Sequence, residues 1–320
     1  MVYLVTDYIT DMIGNMLASR YNEMSSNPDT PFAAAFASYD NFLVASTEDA
    51  LSIGGVAKGN DMIPSFKSVY RELLRAVRGG FTASEYDRAR SEYLSRLEKA
   101  YNNRDKVENE KYSREISRHF IDGTPMTGIE FEYNTMNMLA NQLPVEAINQ
   151  TLQQMVTNDN RIVLAMLPQK EGIIIPTEAQ LAQAMQEVDA EEIPAFVDEV
   201  KAEPLIPNLP KPGKIVSEEP LEKWGATKLT LSNGAVVIVK HTDFKADEIL
   251  FDAQALGGTS VLPDSYANSL IFFPVAAQMN GLGDYTSKDL QKYLQGKQVS
   301  VGMGLDSYTR DITGSTTPKD

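Results

Sequence analysis

The sequence predicts an α+β protein in which helices pack on sheets in two layers, arranged as two domains joined by a proline-rich linker. The chain has 320 residues, whereas a single hydrophobic core usually stops growing at ~250–300 residues. Helical apolar stripes alternate with short strand-like runs along the sequence. Six prolines and many carboxylates are concentrated between residues 189 and 227. The predicted domains are therefore residues 1–188 and 228–320, and residues 189–227 are the predicted extended, acidic linker.

Composition is that of an ordinary globular protein, with 42% hydrophobic and 23% charged residues. The net charge of −15 disfavours nucleic acid and anionic membrane surfaces as partners. The lack of cysteine excludes disulfides, thiolate metal sites and cysteine nucleophiles. No apolar run approaches the ~20 residues that a membrane span needs. Residues 1–7 lack signal-peptide features and have the pattern of a helix already in progress, which we interpret as a sign of a longer parent protein.

Helices are predicted from apolar stripes and capping signals before the linker. The first helix is closed by Asn27 and Pro28, and the second ends at Gly79 and Gly80, where a left-handed C-cap is open to glycine. A Thr-Ala-Ser-Glu capping box opens the third helix, which is followed by a charged stretch that we expect to be a solvated helix face. The stretches that predict helices are residues 5–21, 62–77, 82–101, 144–156 and 177–188, with the charged stretch at residues 102–118.

Strands in the first domain are predicted from short apolar runs. Residues 42–45 and 51–53 flank a polar turn, and Gly54-Gly55 follows the second of these runs. Residues 161–168 form a continuous apolar run that is typical of a buried strand.

The second domain begins with a hairpin signal, Asn233-Gly234 between two β-rich runs. Gly257 and Gly258 end a further strand, and an apolar helix follows. The remaining predicted elements are strands at residues 249–255, 299–308 and 312–316, and helices at residues 265–279 and 286–296.

Residues that could carry chemistry are few. The two histidines, His119 and His241, lie far apart in the sequence and neither belongs to an H-x-x-E-H motif, so we interpret both as surface residues. Tyr86, Tyr93 and Tyr101 have helical spacing and are expected to pack against other helices. By composition, the chain contains no self-sufficient active site.

A family resemblance connects the pieces of the second domain. Residues 231–237 (LSNGAVV) and 257–260 (GGTS) resemble the start of a pitrilysin/insulinase-type zinc metallopeptidase domain. In that family a helix with H-x-x-E-H follows, then a glycine turn, a short helix and two strands, and the order here is the same. Residues 279–283 (MNGLG) resemble the glycine turn. The positions that then correspond to the two histidines and the glutamate of the motif are Pro274, Ala277 and Gln278, so the resemblance implies a degenerate domain without the zinc motif.

The first domain resembles the second, non-catalytic domain of the preceding half in the same family. Residues 79–86 (GGFTASEY) match the family pattern G-[FV]-[TS]-x-x-E-[LY] at the start of a long helix. Residues 16–21 (MLASRY) resemble its L-x-x-R-L helix. The resemblance therefore covers most of the chain, which would be the central part of a longer peptidase.

The resemblance implies a function for the chain within a zinc metalloendopeptidase. Zinc and the catalytic residues would belong to an upstream domain of the same polypeptide, and this chain would carry neither. Its expected partners are that domain and a peptide or unfolded protein substrate, with the proline-rich linker acting as a hinge. Bacterial homologues suggest the periplasm or cell envelope. Two alternatives stay open: a catalytically dead scaffold or peptide-binding protein of the same fold, and an unrelated α+β protein.

Overall fold

The computed structural model describes residues 1–42, 45 and 47–320, which form two compact units. Unit 1 comprises residues 1–101, 109–200 and 291–297, and unit 2 comprises residues 102–108, 201–290 and 298–320. In the part of the chain that the structure describes, no helix is both long and apolar enough to cross a lipid bilayer. Helices and sheets occur together, which confirms the α+β class.

Unit 1 is mainly helical, and the predicted helices and both capping boxes are confirmed. Of the charged stretch at residues 102–118, residues 109–118 are confirmed as exposed helix, with the ion pairs Lys111–Glu115 and Glu110–Arg114 one turn apart, whereas residues 103–108 are not α-helical. The helix α5 was not predicted. In chain order the elements are α1 (Val2–Ser25), β1 (Phe32–Asn41), β2 (Asp49–Ala57), α2 (Ile63–Gly79), α3 (Ala83–Asn102), α4 (Asn109–Asp122), α5 (Ile129–Leu139), α6 (Val145–Met155) and α7 (Glu178–Asp189).

The sheet of unit 1 differs from the prediction. Strand β1 pairs antiparallel with β2, and its alanine-rich sequence gave no strand signal. In the predicted strand at residues 42–45, Leu43 and Val44 lie outside the described residues. The predicted strand at residues 51–53 is part of β2, which continues through Gly54 and Gly55. A Cβ at Gly54 would lie 2.5 Å from the ring of Phe36, which is 56% exposed, so a larger residue there would require that ring to move.

The prediction of a buried strand at residues 161–168 is wrong. Within the described chain this stretch forms no regular structure, and most of its apolar side chains are exposed, Met166 by 95% and Ile162 by 63%. Apolar and β-branched residues favour a strand, but a strand also requires a paired neighbour, which the local sequence cannot supply.

The core of unit 1 surrounds α1. The apolar stripe predicted for this helix is confirmed, and its buried members are Tyr8, Met12, Ile13, Met16, Leu17 and Tyr21. They pack with buried residues of α2 and α6, such as Val69 and Leu152. The predicted packing of the tyrosines is also confirmed: the hydroxyls of Tyr8 and Tyr86 are 3.0 Å apart, Tyr93 meets Tyr8 edge-on, and Tyr101 stacks on Tyr133.

Unit 2 contains two three-stranded antiparallel sheets, with strand orders β3-β4-β5 and β6-β8-β7. The predicted hairpin is confirmed, with Gly234 at φ +87° in the turn between β4 and β5. Strand β3 lies inside the stretch predicted as linker, and the domain boundaries stay a prediction. The remaining elements in chain order are β3 (Ile215–Leu221), β4 (Ala226–Leu231), β5 (Val236–Val239), β6 (Ile249–Leu256), α8 (Ala267–Leu270), α9 (Phe273–Met279), α10 (Ser287–Leu294), β7 (Ser300–Leu305) and β8 (Thr309–Thr316). Residues 291–294 of α10 belong to unit 1.

Candidate functional site

Helix α9 of unit 2 holds the three residues that sequence analysis placed at the zinc motif. Pro274 lies in its first turn, where the missing backbone N–H breaks no helical hydrogen bond. Gln278 lies one turn later on the same face, and Ala277 is adjacent. Pro274 and Gln278 are exposed, Ala277 is half-buried, and the helix packs on β7. The structure therefore brings the three positions together on one short helix.

The side chains of α9 do not fit a zinc ion. Zinc sites in proteins use imidazole, thiolate and carboxylate ligands. Pro274 and Ala277 offer no donor atom, and Gln278 offers a single neutral amide. Across residues 1–42, 45 and 47–320, no group of three or more His, Cys, Asp and Glu side chains is arranged to hold a metal ion. His119 is exposed on α4, and His241 is exposed after β5, as predicted. No metal-dependent step is therefore assigned to this chain.

The glycine turn that follows α9 has strict geometry. Gly281 has φ +76°, which favours glycine, and a Cβ there would lie 2.1 Å from the backbone oxygen of Tyr285. Leu282 and Tyr285 exchange two backbone hydrogen bonds of 3.0 Å across the turn, and the side chain of Tyr285 is buried. The turn therefore depends on the absence of a side chain at Gly281.

Two edge strands of unit 2 present surfaces suited to an extended peptide. Strands β5 and β6 each pair on one side only in the described part of the chain, and every residue of both strands is exposed. Their sequences, VVIV and ILFDAQAL, are largely apolar. An unpaired strand edge offers backbone N–H and C=O groups that an added strand can bind. We call the free sides of β5 and β6 the open edges.

The two family motifs of unit 1 meet in its core. Arg20, from the motif on α1, forms a bidentate ion pair with Glu85, from the motif at the start of α3. The Nε–Oε1 distance is 2.6 Å and the Nη2–Oε2 distance is 2.9 Å. The two side chains are only 1% and 7% exposed. Glu85 also accepts a hydrogen bond from the backbone N–H of Thr82, so one carboxylate caps α3 and binds α1.

Arg20 has further partners that complete a buried charge network. Its Nη1 donates to Glu72 on α2 over 3.2 Å, and its Nη2 donates to the carbonyl of Gly80 over 3.0 Å. Glu72 also accepts from Arg75. Burial raises the pKa of Glu72, while Arg75 and Arg20 act against that rise. The network joins three helices through charge-assisted hydrogen bonds and has a structural role.

The two motifs are recognisable in the sequence, but the pairing of Arg20 with Glu85 was not predicted. A signal was present, because Arg20 lies within the apolar stripe of α1, three residues after the buried Leu17. A charged side chain in such a stripe requires a buried partner. Which carboxylate supplies the partner depends on contacts 65 residues apart in the chain.

The sequence of this chain is similar to those of two proteins that are named zinc proteases. The chain is 27% identical over 235 residues to a protein of Arabidopsis thaliana named "Zinc protease PQQL-like". The aligned region covers 73% of this chain and 24% of that protein. It is 22% identical over 253 residues to "Probable zinc protease PqqL" of Escherichia coli K12. That alignment covers 77% of this chain and 26% of the relative. Both proteins are named zinc proteases, and the predicted resemblance to the pitrilysin/insulinase-type zinc peptidases is confirmed.

Solved structures of the peptidase family agree on the fold. The periplasmic protease PqqL from Escherichia coli matches 98% of this chain and 34% of its own length, with a TM-score of 0.51 and 18% identity. The first half of PqqL matches 61% of this chain and 42% of its own length, with a TM-score of 0.50 and 17% identity. No family model matches the chain. The chain spans about a quarter of the length of the curated relatives, with 24% and 26% of them covered.

Proposed function

We propose that the chain is a non-catalytic portion of a zinc-dependent peptidase of the pitrilysin/insulinase type. It would enclose and hold an unfolded peptide for hydrolysis by an upstream domain outside this sequence. The observation that carries the proposal is the pair of open edges on a fold that matches PqqL. The zinc-motif positions, occupied by Pro274, Ala277 and Gln278, support a holding role over a catalytic one.

The open edges support a particular mode of holding. Backbone hydrogen bonds to an edge strand bind any extended peptide, because they make little demand on its side chains. Exposed apolar residues of β6, such as Leu250 and Leu256, would add contacts with alternate substrate side chains. A folded protein has few free backbone groups and would not bind in this way. The solved relative is a periplasmic protease, and we propose the same compartment for this chain.

Peptide binding can be measured with the 320-residue chain. A fluorescein-labelled, reduced and carboxymethylated α-lactalbumin is a suitable unfolded probe, with native α-lactalbumin as the folded competitor. We expect the unfolded probe to bind and the native protein not to compete. Leu250→Lys places a charge on β6 and should weaken binding roughly tenfold. Leu209→Lys, at an exposed apolar residue outside the strands, is the matched control and should leave affinity unchanged. Equal effects of the two variants would contradict a role for β6.

Metal binding separates the holding role from catalysis. We expect the purified chain to contain no stoichiometric zinc and to cleave no peptide, because α9 lacks ligands for the ion. Elemental analysis after dialysis against micromolar zinc provides the measurement. A chain that retained one zinc and cleaved the probe in a chelator-sensitive way would overturn the proposal.

A further inference from the structure

The residues that follow α7 are fastened to unit 1 over a short, defined stretch. Residues 189–198, which we call the strap, run across the end of α2. Three arginines on α2, Arg71, Arg75 and Arg78, have i, i+4 and i+7 spacing and lie on one face of that helix. All three donate hydrogen bonds to the strap. The first ten residues of the predicted hinge are therefore not a freely solvated linker.

The near end of the strap is held by one half-exposed ion pair and by hydrogen bonds, among them one from the Tyr70 hydroxyl to Asp189 over 2.7 Å. Arg71 binds the Glu191 carboxylate with two donors, and its Nη2–Oε1 distance is 2.8 Å. These two side chains are 34% and 35% exposed. Arg78 donates to the carbonyls of Asp189 and Glu191 over 2.8 and 2.9 Å. Such contacts are individually weak and are screened by salt, because water competes for both partners.

The middle of the strap covers the buried arginine of the core. Arg75 donates to the carbonyl of Pro194 over 3.1 Å. The guanidinium of Arg20 lies 4.0 Å from the ring centroid of Phe196. A cation over an aromatic ring gains most where water is excluded. Phe196 therefore shields the charge network from solvent.

The far end of the strap is held by a buried carboxylate. Asp198 is 3% exposed and accepts from Arg88 Nη1 over 2.8 Å, from Lys292 over 3.0 Å and from the hydroxyl of Ser84. Lys292, which is also part of unit 1, pairs with Glu23 over 2.9 Å. Burial alone would raise the pKa of Asp198, but hydrogen bonds from Arg88, Ser84 and Lys292 lower it to about 2. Asp198 therefore stays ionised and paired at any pH above about 4.

We propose that residues 189–198 are a strap whose near end is released by salt while its far end stays fixed at Asp198. While Asp198 is paired, the connector can bend only beyond that residue. Loss of the Asp198 contacts as well as the near end would lengthen the connector by ten residues, up to about 33 Å of extended chain. Peptide binding by the open edges has no part in this proposal.

A spin label tests the strap of the 320-residue chain in two ways, because the chain has no cysteine and a single introduced cysteine is labelled specifically. In the first, the label is attached at Val197→Cys, an exposed position next to Asp198, and Asp198→Asn keeps the shape of the side chain and removes its charge. We expect the label to become several-fold more mobile in Asp198→Asn, because hydrogen bonds to a charged group are lost. Hydrogen exchange of the α1 amides should be unchanged, as should label mobility in Asp243→Asn, a variant at an exposed aspartate after β5. Unchanged label mobility in Asp198→Asn would overturn the proposal.

The second arm keeps Asp198 and is decisive if Asp198→Asn also loosens α1. Raising sodium chloride from 0.05 to 1 M should make a label at Glu192→Cys several-fold more mobile, and leave the mobility of a label at Val197→Cys unchanged. A uniform response along the strap, or none at its near end, would show that the two ends are not held differently and would overturn the proposal.

Discussion

Replacing Arg20 with alanine is expected to destabilise unit 1 by about 3–5 kcal/mol, because two carboxylates would be left buried without their main partner. Glu85 and Glu72 are 7% and 4% exposed, so water cannot replace the guanidinium. Glu85 also caps α3, and Phe196 would lose the cation beneath its ring. Urea unfolding followed by far-ultraviolet circular dichroism would measure the change in the free energy of unfolding.

Two control variants test whether the loss of stability in Arg20→Ala comes from the buried bidentate ion pair. Arg20→Lys keeps the charge but not the fork that binds Glu85 in two places, so its loss of stability should fall between wild type and Arg20→Ala. Arg114→Ala makes the same change at an arginine whose side chain is 70% exposed in its ion pair with Glu110, and should lower the free energy of unfolding by under about 0.5 kcal/mol. Similar losses for Arg20→Ala and Arg114→Ala would show that the buried network does not stabilise the fold.

The helices could be predicted from the sequence because their signals are local. The stripe of α1, the capping boxes and the Asn233-Gly234 turn each depend on residues only a few positions apart. The sheet of unit 1 could not be predicted in the same way. Strand β1 is rich in alanine, a weak strand former, and exists because β2 pairs along its whole length.

In the candidate site, too, features that depend on local sequence could be predicted, and contacts between distant residues could not. The order of the motifs along the chain placed Pro274, Ala277 and Gln278 on one helix and the glycine turn directly after that helix. The partners of Arg20 were not predicted, since they come from α2, α3 and the strap. The stretch expected to be a solvated linker begins with docked residues because four arginines outside it supply their partners: Arg71, Arg75, Arg78 and Arg88.

Replacing Gly281 with alanine is expected to disrupt the turn after α9 and to cost about 2–5 kcal/mol locally. Positive φ disfavours alanine, and the added Cβ would meet a backbone oxygen at 2.1 Å, which no side-chain movement can relieve. The hydrogen bonds between Leu282 and Tyr285 would have to open. Exchange of the amides of Leu282 and Tyr285 should therefore become much faster.

Gly234 supplies a control that separates the two causes. It also has positive φ, +87°, but nothing lies within 4 Å of the position its Cβ would take. Gly234→Ala should thus cost only about 1–2 kcal/mol, the conformational part alone. A larger loss at Gly281 than at Gly234 would assign the difference to the close approach of the Tyr285 backbone. Equal losses would mean that the turn relaxes around a methyl group, and that the glycine motif after α9 reflects backbone conformation rather than packing.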